Sequence, residues 1–205
     1  MSAIKKIKGG VCAPTGFLAG AFGCGIKTGE VTRDDIAVVF SEAPAHSAAT
    51  FTTNKVKAAP VLVSSAHLKS GRNRAVILNS GNANACTGKE GLKNARLMAA
   101  ATASLLDLKP TEVLVCSTGR IGVPLPMDRI SKGIANLYPT CKGSKAAAAS
   151  IMTSDTFATF TFDGSPGNTL ECQLDSNAWA SCASGVTFTQ LTDGEHIFRT
   201  RQVNN

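Results

Sequence analysis

Aromatic side chains are scarce in this chain: one Trp, one Tyr and nine Phe among 205 residues. Its core must therefore be filled mainly by Ala, Val, Leu and Ile, and a hydrophobic fraction of 43% is enough for a sizeable one. No uninterrupted apolar run approaches the ~18 residues of a membrane span, so no transmembrane helix and no membrane partner is expected. The basic start, Met1-Ser-Ala-Ile-Lys-Lys-Ile-Lys8, runs into Gly9, Gly10 and Pro14 without an apolar stretch. That pattern predicts no signal peptide and a cytoplasmic location. Only three histidines occur, and His46, His67 and His196 have no companion acid or nucleophile at suggestive spacing. Each reads as a surface or turn residue. The absence of any CxxC or Cys/His ligand spacing argues against a zinc site, so no metal and no cofactor is expected. Neither a GxSxG elbow nor a P-loop is present.

What is present is unevenly distributed. Residues 1–145 hold 19 of the 21 Lys and Arg, whereas residues 146–205 contain no Lys and six acids. The formal net charge of +7 would permit nucleic-acid binding. However, the basic residues are scattered, without aromatic interleaving or a recognised motif, and read as solvated surface. Cysteine usage shifts at the same place. Cys12, Cys24, Cys86, Cys116 and Cys141 are isolated, as in a reducing compartment, while Cys172 and Cys182 lie close together.

Periodicity divides the chain similarly. Asp35-Ile-Ala-Val-Val-Phe40, Ala49-Thr-Phe-Thr-Thr53, Arg74-Ala-Val-Ile-Leu78 and Glu112-Val-Leu-Val-Cys116 read as strands. Leu92, Ala95, Ala99, Thr102 and Leu106 recur at helical spacing, predicting a helix over 91–107 with an Ala-rich face. Further helices are predicted over 127–137, after Pro126, and over 146–152. This is an α/β pattern around a buried sheet. Beyond Thr156 only short β-type runs remain: 159–162, 169–174, 186–189 and 196–200. Asp163-Gly-Ser-Pro-Gly-Asn168, Asp175-Ser-Asn177 and Asp193-Gly194 separate them. A module boundary is therefore placed between an α/β part, residues 1–156, and a short all-β appendage, residues 157–205.

Two loops could carry chemistry. Asn79-Ser-Gly-Asn-Ala-Asn-Ala-Cys-Thr-Gly88 joins a strand to a helix. Its Gly and Asn residues either expose backbone N–H groups to an anion or carboxylate, or form an ordinary turn that caps the helix. Ser117-Thr-Gly-Arg-Ile-Gly122 follows the next strand. A hydroxyl and a Gly N–H at a strand end can form an oxyanion hole, though a tight turn needing Gly has the same signature. Arg120 could attract a carboxylate, but solvation is the simpler reading.

Six stretches appear in order: Gly10-Val-Cys-Ala-Pro-Thr-Gly-Phe17, Phe51-Thr-Thr-Asn-Lys-Val-Lys-Ala-Ala-Pro60, the Asn79–Gly88 loop, Ser117-Thr-Gly119 with Ile121-Gly122, Leu125-Pro-Met-Asp128 and Ile151-Met-Thr-Ser-Asp-Thr156. Together they resemble the ornithine acetyltransferase (glutamate N-acetyltransferase) family of arginine biosynthesis. The resemblance implies a self-processing acetyltransferase fold. In such enzymes a precursor cleaves itself before a Thr, which becomes the nucleophile. It passes acetyl from N-acetylornithine, or from acetyl-CoA in bifunctional members, to glutamate. By motif, Thr118 and Gly119 correspond to the oxyanion-hole pair. Ser154 falls on or beside a substrate contact in a Met-Thr-Thr-Asp-Thr stretch, with Ser in place of Thr. Arg120 stands where the family often has an apolar residue.

The family would continue past Thr156 with a Lys-containing region and a Gly-rich approach to an Ala-Thr-Met-Leu-like cleavage site. No such site follows Thr156. The expectation is thus a truncated acetyltransferase, inactive alone, lacking its nucleophile and the second subunit with which the family's first would pair. The tail, through Leu170-Glu-Cys-Gln-Leu-Asp175, Trp179-Ala-Ser-Cys182 and residues 191–201, resembles part of a bacterial extracellular Ig-like repeat. Such repeats carry a Cys pair closing a hairpin, and nine residues separate Cys172 from Cys182. A disulfide there is expected in oxidising surroundings and absent in a reducing cytosol. The alternative function is a non-catalytic β-rich binding or adhesion module on an inactive α/β scaffold, or a fused reading frame.

Overall fold

The computed structural model describes residues 7–153, 156–160, 169–182, 186–191 and 197–203. The chain divides into two compact units, Met1–Thr153 and Ser154–Asn205. By this division Ser154 and Thr156 fall in the second unit, whereas the sequence reading ended the first at residue 156.

In the first unit, strands β1 (Phe17–Phe22), β2 (Ile36–Ser41), β3 (Ala75–Asn79) and β4 (Val113–Ser117) form one sheet in the order β1-β2-β3-β4. β1/β2 and β2/β3 are antiparallel, whereas β3 and β4 are parallel. A parallel pair needs a crossover, here supplied by α2 (Gly88–Leu106). With α1 (Ala59–Leu68) and α3 (Met127–Ala135), α2 covers one face, where Ile36, Val38, Ile77, Val113 and Val115 meet Val63, Met98, Ile130 and Ile134. The shortage of aromatics is met by close approach. Ala95, Ala99 and Ala103 lie at one-turn intervals along α2 and are almost fully buried. Across the sheet, Ala19 and Ala37 pack with Ala147 of α4 (Ser144–Ser150).

The expected strand at 49–53 is absent. That segment is irregular and largely exposed, and neither sheet edge receives it. Thr140 bridges the outer edge of β1 through Ala19. On β4, the Ser64 hydroxyl of α1 donates to the Val115 carbonyl (2.7 Å) and accepts the Val115 N–H (2.8 Å). His67 Nδ1 lies 2.8 Å from the Val113 carbonyl. Side chains thus cover an edge that would otherwise be open to pairing.

The buried Asp35 carboxylate accepts the N–H groups of Cys24 (2.6 Å) and Ile26 (2.5 Å). Burial, with the neighbouring Asp35 charge, pushes the Cys24 thiol up from 9.0 to about 12. The folded state therefore holds this proton more tightly than the unfolded chain. The resulting stability is fully present below pH 9.0 and is lost as pH rises toward 12. Thermal melts between pH 7 and pH 10.5 should show a steeper alkaline decline for the parent than for Cys24→Ala. Parallel curves would show that this thiol contributes nothing.

In the second unit, β5 (Thr156–Phe160) pairs antiparallel with β8 (Val186–Leu191), and β6 (Thr169–Leu174) lies between β7 (Ala180–Ser181) and β9 (Phe198–Val203). A disulfide joins Cys172 to Cys182 with Cα atoms 5.8 Å apart, inside the usual range. Beside it Arg201 pairs with Glu171 (2.6 Å) and stacks on the Trp179 ring at 4.4 Å. The fold is mixed α/β followed by small β-sheets. Among the described residues, no helix is long and apolar enough to cross a membrane.

Candidate functional site

The parallel strands β3 and β4 end together, with Asn79 opposite Ser117. The loops after them leave from the same sheet edge and are tied to each other. Thr118 N–H donates to the Asn79 carbonyl (3.0 Å) and Arg120 N–H to the Gly81 carbonyl (3.0 Å). In return, Ala83 N–H donates to the Arg120 carbonyl (2.9 Å) and Gly122 N–H to the Ala85 carbonyl (2.8 Å). This irregular extension of the β3–β4 ladder is what holds Thr118 and Gly119.

Gly119 has φ +123°, and a Cβ there would lie 2.3 Å from the carbonyl carbon and oxygen of Gly81. No side chain fits this crossing. The Thr118 hydroxyl and the Gly119 N–H have no hydrogen-bond partner among the described residues. Gly119 is exposed and Thr118 half-buried. Two uncommitted donors on adjacent residues, fixed by bonds on both sides, can stabilise negative charge forming on a carbonyl oxygen.

The Asn79–Gly88 loop does not cap α2 as the turn expectation had it. Asn79, Asn82 and Asn84 are buried and bond to the loop's own surroundings. Asn79 Nδ2 donates to the Asn82 carbonyl (3.0 Å), Asn82 Nδ2 to the Pro124 carbonyl (2.9 Å), and Asn84 Nδ2 to the Gly91 carbonyl (2.9 Å). Thr87 is the N-cap of α2 and makes no side-chain cap bond. The asparagine side chains are pins that shape the wall behind Thr118, and none of them caps α2.

Arg120 also departs from the solvated reading. Although exposed, its Nε donates to Asn82 Oδ1 (3.0 Å) and its Nη2 to the Lys27 carbonyl (2.8 Å). Its guanidinium thereby fastens the Thr118–Gly119 turn to two other loops. Arg33, which the sequence reading passed over, donates from Nη2 to Ser80 Oγ (3.1 Å) and to the Met152 carbonyl. Ser80 Oγ in turn donates to the Ser150 carbonyl (2.6 Å). Ser154 and His196 lie outside the described residues. The Ala-Thr dipeptide beyond Thr156, Ala158-Thr159, is held in β5 opposite Phe188 and Thr187.

Residues 18–168 match the model of the ArgJ family, so the match runs past the junction expected at residue 157. Among relatives, the arginine biosynthesis bifunctional protein ArgJ of Caldanaerobacter subterraneus is 46% identical over 153 residues, covering 74% of this chain and 37% of that protein. The protein of the same name from Geobacter sulfurreducens is 53% identical over 127 residues, 61% of this chain and 32% of its own length. Among solved structures, ornithine acetyltransferase of Mycobacterium tuberculosis complexed with ornithine aligns with a TM-score of 0.68 at 45% identity. That alignment covers 73% of this chain and 81% of the chain in that structure. The argJ protein of Bacillus halodurans aligns with a TM-score of 0.68 at 32% identity, covering 96% of this chain and 90% of that one. The chain thus spans well under half the length of the curated relatives it matches.

Proposed function

The chain belongs to the ArgJ family, and on that footing we propose that residues 1–153 supply the oxyanion-stabilising part of an acetyltransferase of arginine biosynthesis. The observation that carries this reading is the pair of uncommitted donors, the Thr118 hydroxyl and the Gly119 N–H, on a turn fixed at the end of β4. In the proposed reaction a Thr nucleophile attacks the acetyl carbonyl of N-acetylornithine, or of acetyl-CoA. The carbonyl oxygen becomes an oxyanion facing Thr118 and Gly119. Its collapse breaks the amide bond and expels ornithine, or breaks the thioester and expels CoA, and the amine of glutamate then takes the acetyl group from the Thr oxygen. The nucleophile lies in sequence outside residues 1–205, on the second subunit that completes the enzyme. Ser154 contributes a hydroxyl to substrate binding, and the reaction takes place in the cytoplasm.

The purified chain is expected to transfer no acetyl group from radiolabelled N-acetylornithine to glutamate and to stay uncleaved on a denaturing gel. Extended with the sequence that its relatives carry beyond the matched part, it should cleave itself and turn over. Turnover by the chain alone, or an extended chain that cleaves cleanly yet stays idle, would overturn the proposal.

A further inference from the structure

A second cation faces the same sheet edge as Thr118, and the acyl-transfer chemistry makes no use of it. Because Asn79 and Ser117 are register partners, the next residues, Ser80 and Thr118, continue side by side. The Ser80 hydroxyl reaches the C-terminal end of α4 through the Ser150 carbonyl, so it lies on the face opposite α1, α2 and α3. Strand alternation places Thr118 on that face too. Arg33 sits against Ser80, fastened through a single nitrogen, Nη2, to Ser80 Oγ and the Met152 carbonyl.

That tether leaves Nε–H and both Nη1 hydrogens without a partner among the described residues, and no carboxylate there pairs with Arg33. The neighbouring Asp35 is already committed to Cys24 and Ile26. Arg33 is exposed, so these remaining donors face solvent and are open to a ligand. Restraint at one nitrogen removes much of the rotamer freedom that a binding side chain would otherwise lose.

We propose that Arg33 forms a carboxylate subsite beside the Thr118–Gly119 turn, which engages the carboxylate of an amino-acid substrate through Nε and Nη1. The purpose of the subsite rests on the acetyltransferase reading. A carboxylate suits it better than a phosphate, because one guanidinium with neutral hydroxyl and amide neighbours balances one negative charge. The planar fork also matches two carboxylate oxygens.

The test is a titration of the 15N-labelled full chain with L-glutamate, acetate and inorganic phosphate, following the Arg33 Nε–H and the Gly119 N–H by NMR. Glutamate and acetate should move both resonances saturably. Arg33→Gln should weaken glutamate binding about fivefold or more, with the remote amide spectrum unchanged. Arg33→Lys should also bind more weakly than the parent, because it keeps the charge and loses the fork. The proposal is overturned by an absence of saturable shifts, by a smaller effect of Arg33→Gln, or by phosphate binding as tightly as glutamate. If Arg33→Gln fails to fold, Arg33→Lys decides, and parent-like affinity overturns the assignment. Because binding is read without turnover, failure here leaves the acetyl-transfer reading intact. An idle completed enzyme would likewise leave the subsite intact.

Discussion

Thr118→Ala in the completed, self-cleaved enzyme is expected to lower kcat by about 10²–10³, equivalent to about 2.7–4 kcal/mol, which is typical for loss of one oxyanion-hole donor. The Thr118 hydroxyl bonds to nothing among the described residues, so its removal leaves no buried partner unsatisfied and should cost little stability. The Thr118 backbone N–H, which does hold the turn by donating to Asn79, is retained in the variant. Ground-state carbonyl oxygens carry less charge than the tetrahedral oxyanion, so the loss should fall on kcat with KM little changed. Self-cleavage should slow as well, since it passes through a similar oxyanion. If kcat stays within about threefold while the fold is intact, Thr118 is a turn residue and the assignment fails.

Much of the sheet was legible because three of its strands are short β-branched or aliphatic runs that punctuation isolates. Strands expected at 35–40, 74–78 and 112–116 appear at Ile36–Ser41, Ala75–Asn79 and Val113–Ser117, each shifted by one residue. Each expected span began on a polar or charged residue just outside the ladder. Segment 49–53 is rich in β-branched Thr but has no Val, Ile or Leu, and it forms no strand where both edges of this sheet are covered by Thr140, Ser64 and His67. The residues that cover β4 sit on α1, which the sequence reading did not recognise. This helix opens on Ala59 and Pro60 and carries Val61, Val63 and two serines, so neither its propensity nor its apolar stripe is strong. β1 went unread for the converse reason, since Ala19, Gly20 and Ala21 dilute its pattern.

The site was legible in its residues and opaque in its geometry. Thr118 and Gly119 stand out as a hydroxyl and a glycine closing a strand, yet a turn has the same signature. What separates the two readings is which donors remain uncommitted, and that depends on partners far away in sequence. Arg33 illustrates the limit: its contacts, Ser80 and Met152, are 47 and 119 positions away, and no local pattern joins them. The Asn-rich loop misled for a related reason. Asparagine in a turn usually bonds locally, whereas Asn82 reaches Pro124 and accepts Arg120.

Gly119→Ala is expected to destabilise the chain by several kcal/mol, from two sources that can be separated within the same loop. The first is backbone strain: φ is +123° at Gly119, where an L side chain costs about 1–3 kcal/mol. The second is collision, because the new methyl would sit 2.3 Å from Gly81 backbone atoms and 2.8 Å from the Asn82 nitrogen. Those atoms cannot retreat without lengthening the Arg120-to-Gly81 and Ala83-to-Arg120 bonds, and forced overpacking of this kind adds about 1–3 kcal/mol. Gly122 provides the internal control. It also has positive φ, +77°, but nothing lies within 4 Å of its missing Cβ, so Gly122→Ala should show strain alone. For a chain of this size 1 kcal/mol shifts Tm by about 2–4 °C, so Gly119→Ala should melt several degrees below Gly122→Ala. Equal melting temperatures would mean that the Gly119–Gly81 approach is not as close as described. The comparison also separates two requirements that coincide at this turn. The crossing of the loops demands glycine at 119 whatever the chemistry, whereas nothing in the packing demands a hydroxyl at 118. Thr118 is therefore the residue on which the catalytic reading can fail, and Gly119 the one on which the geometry can.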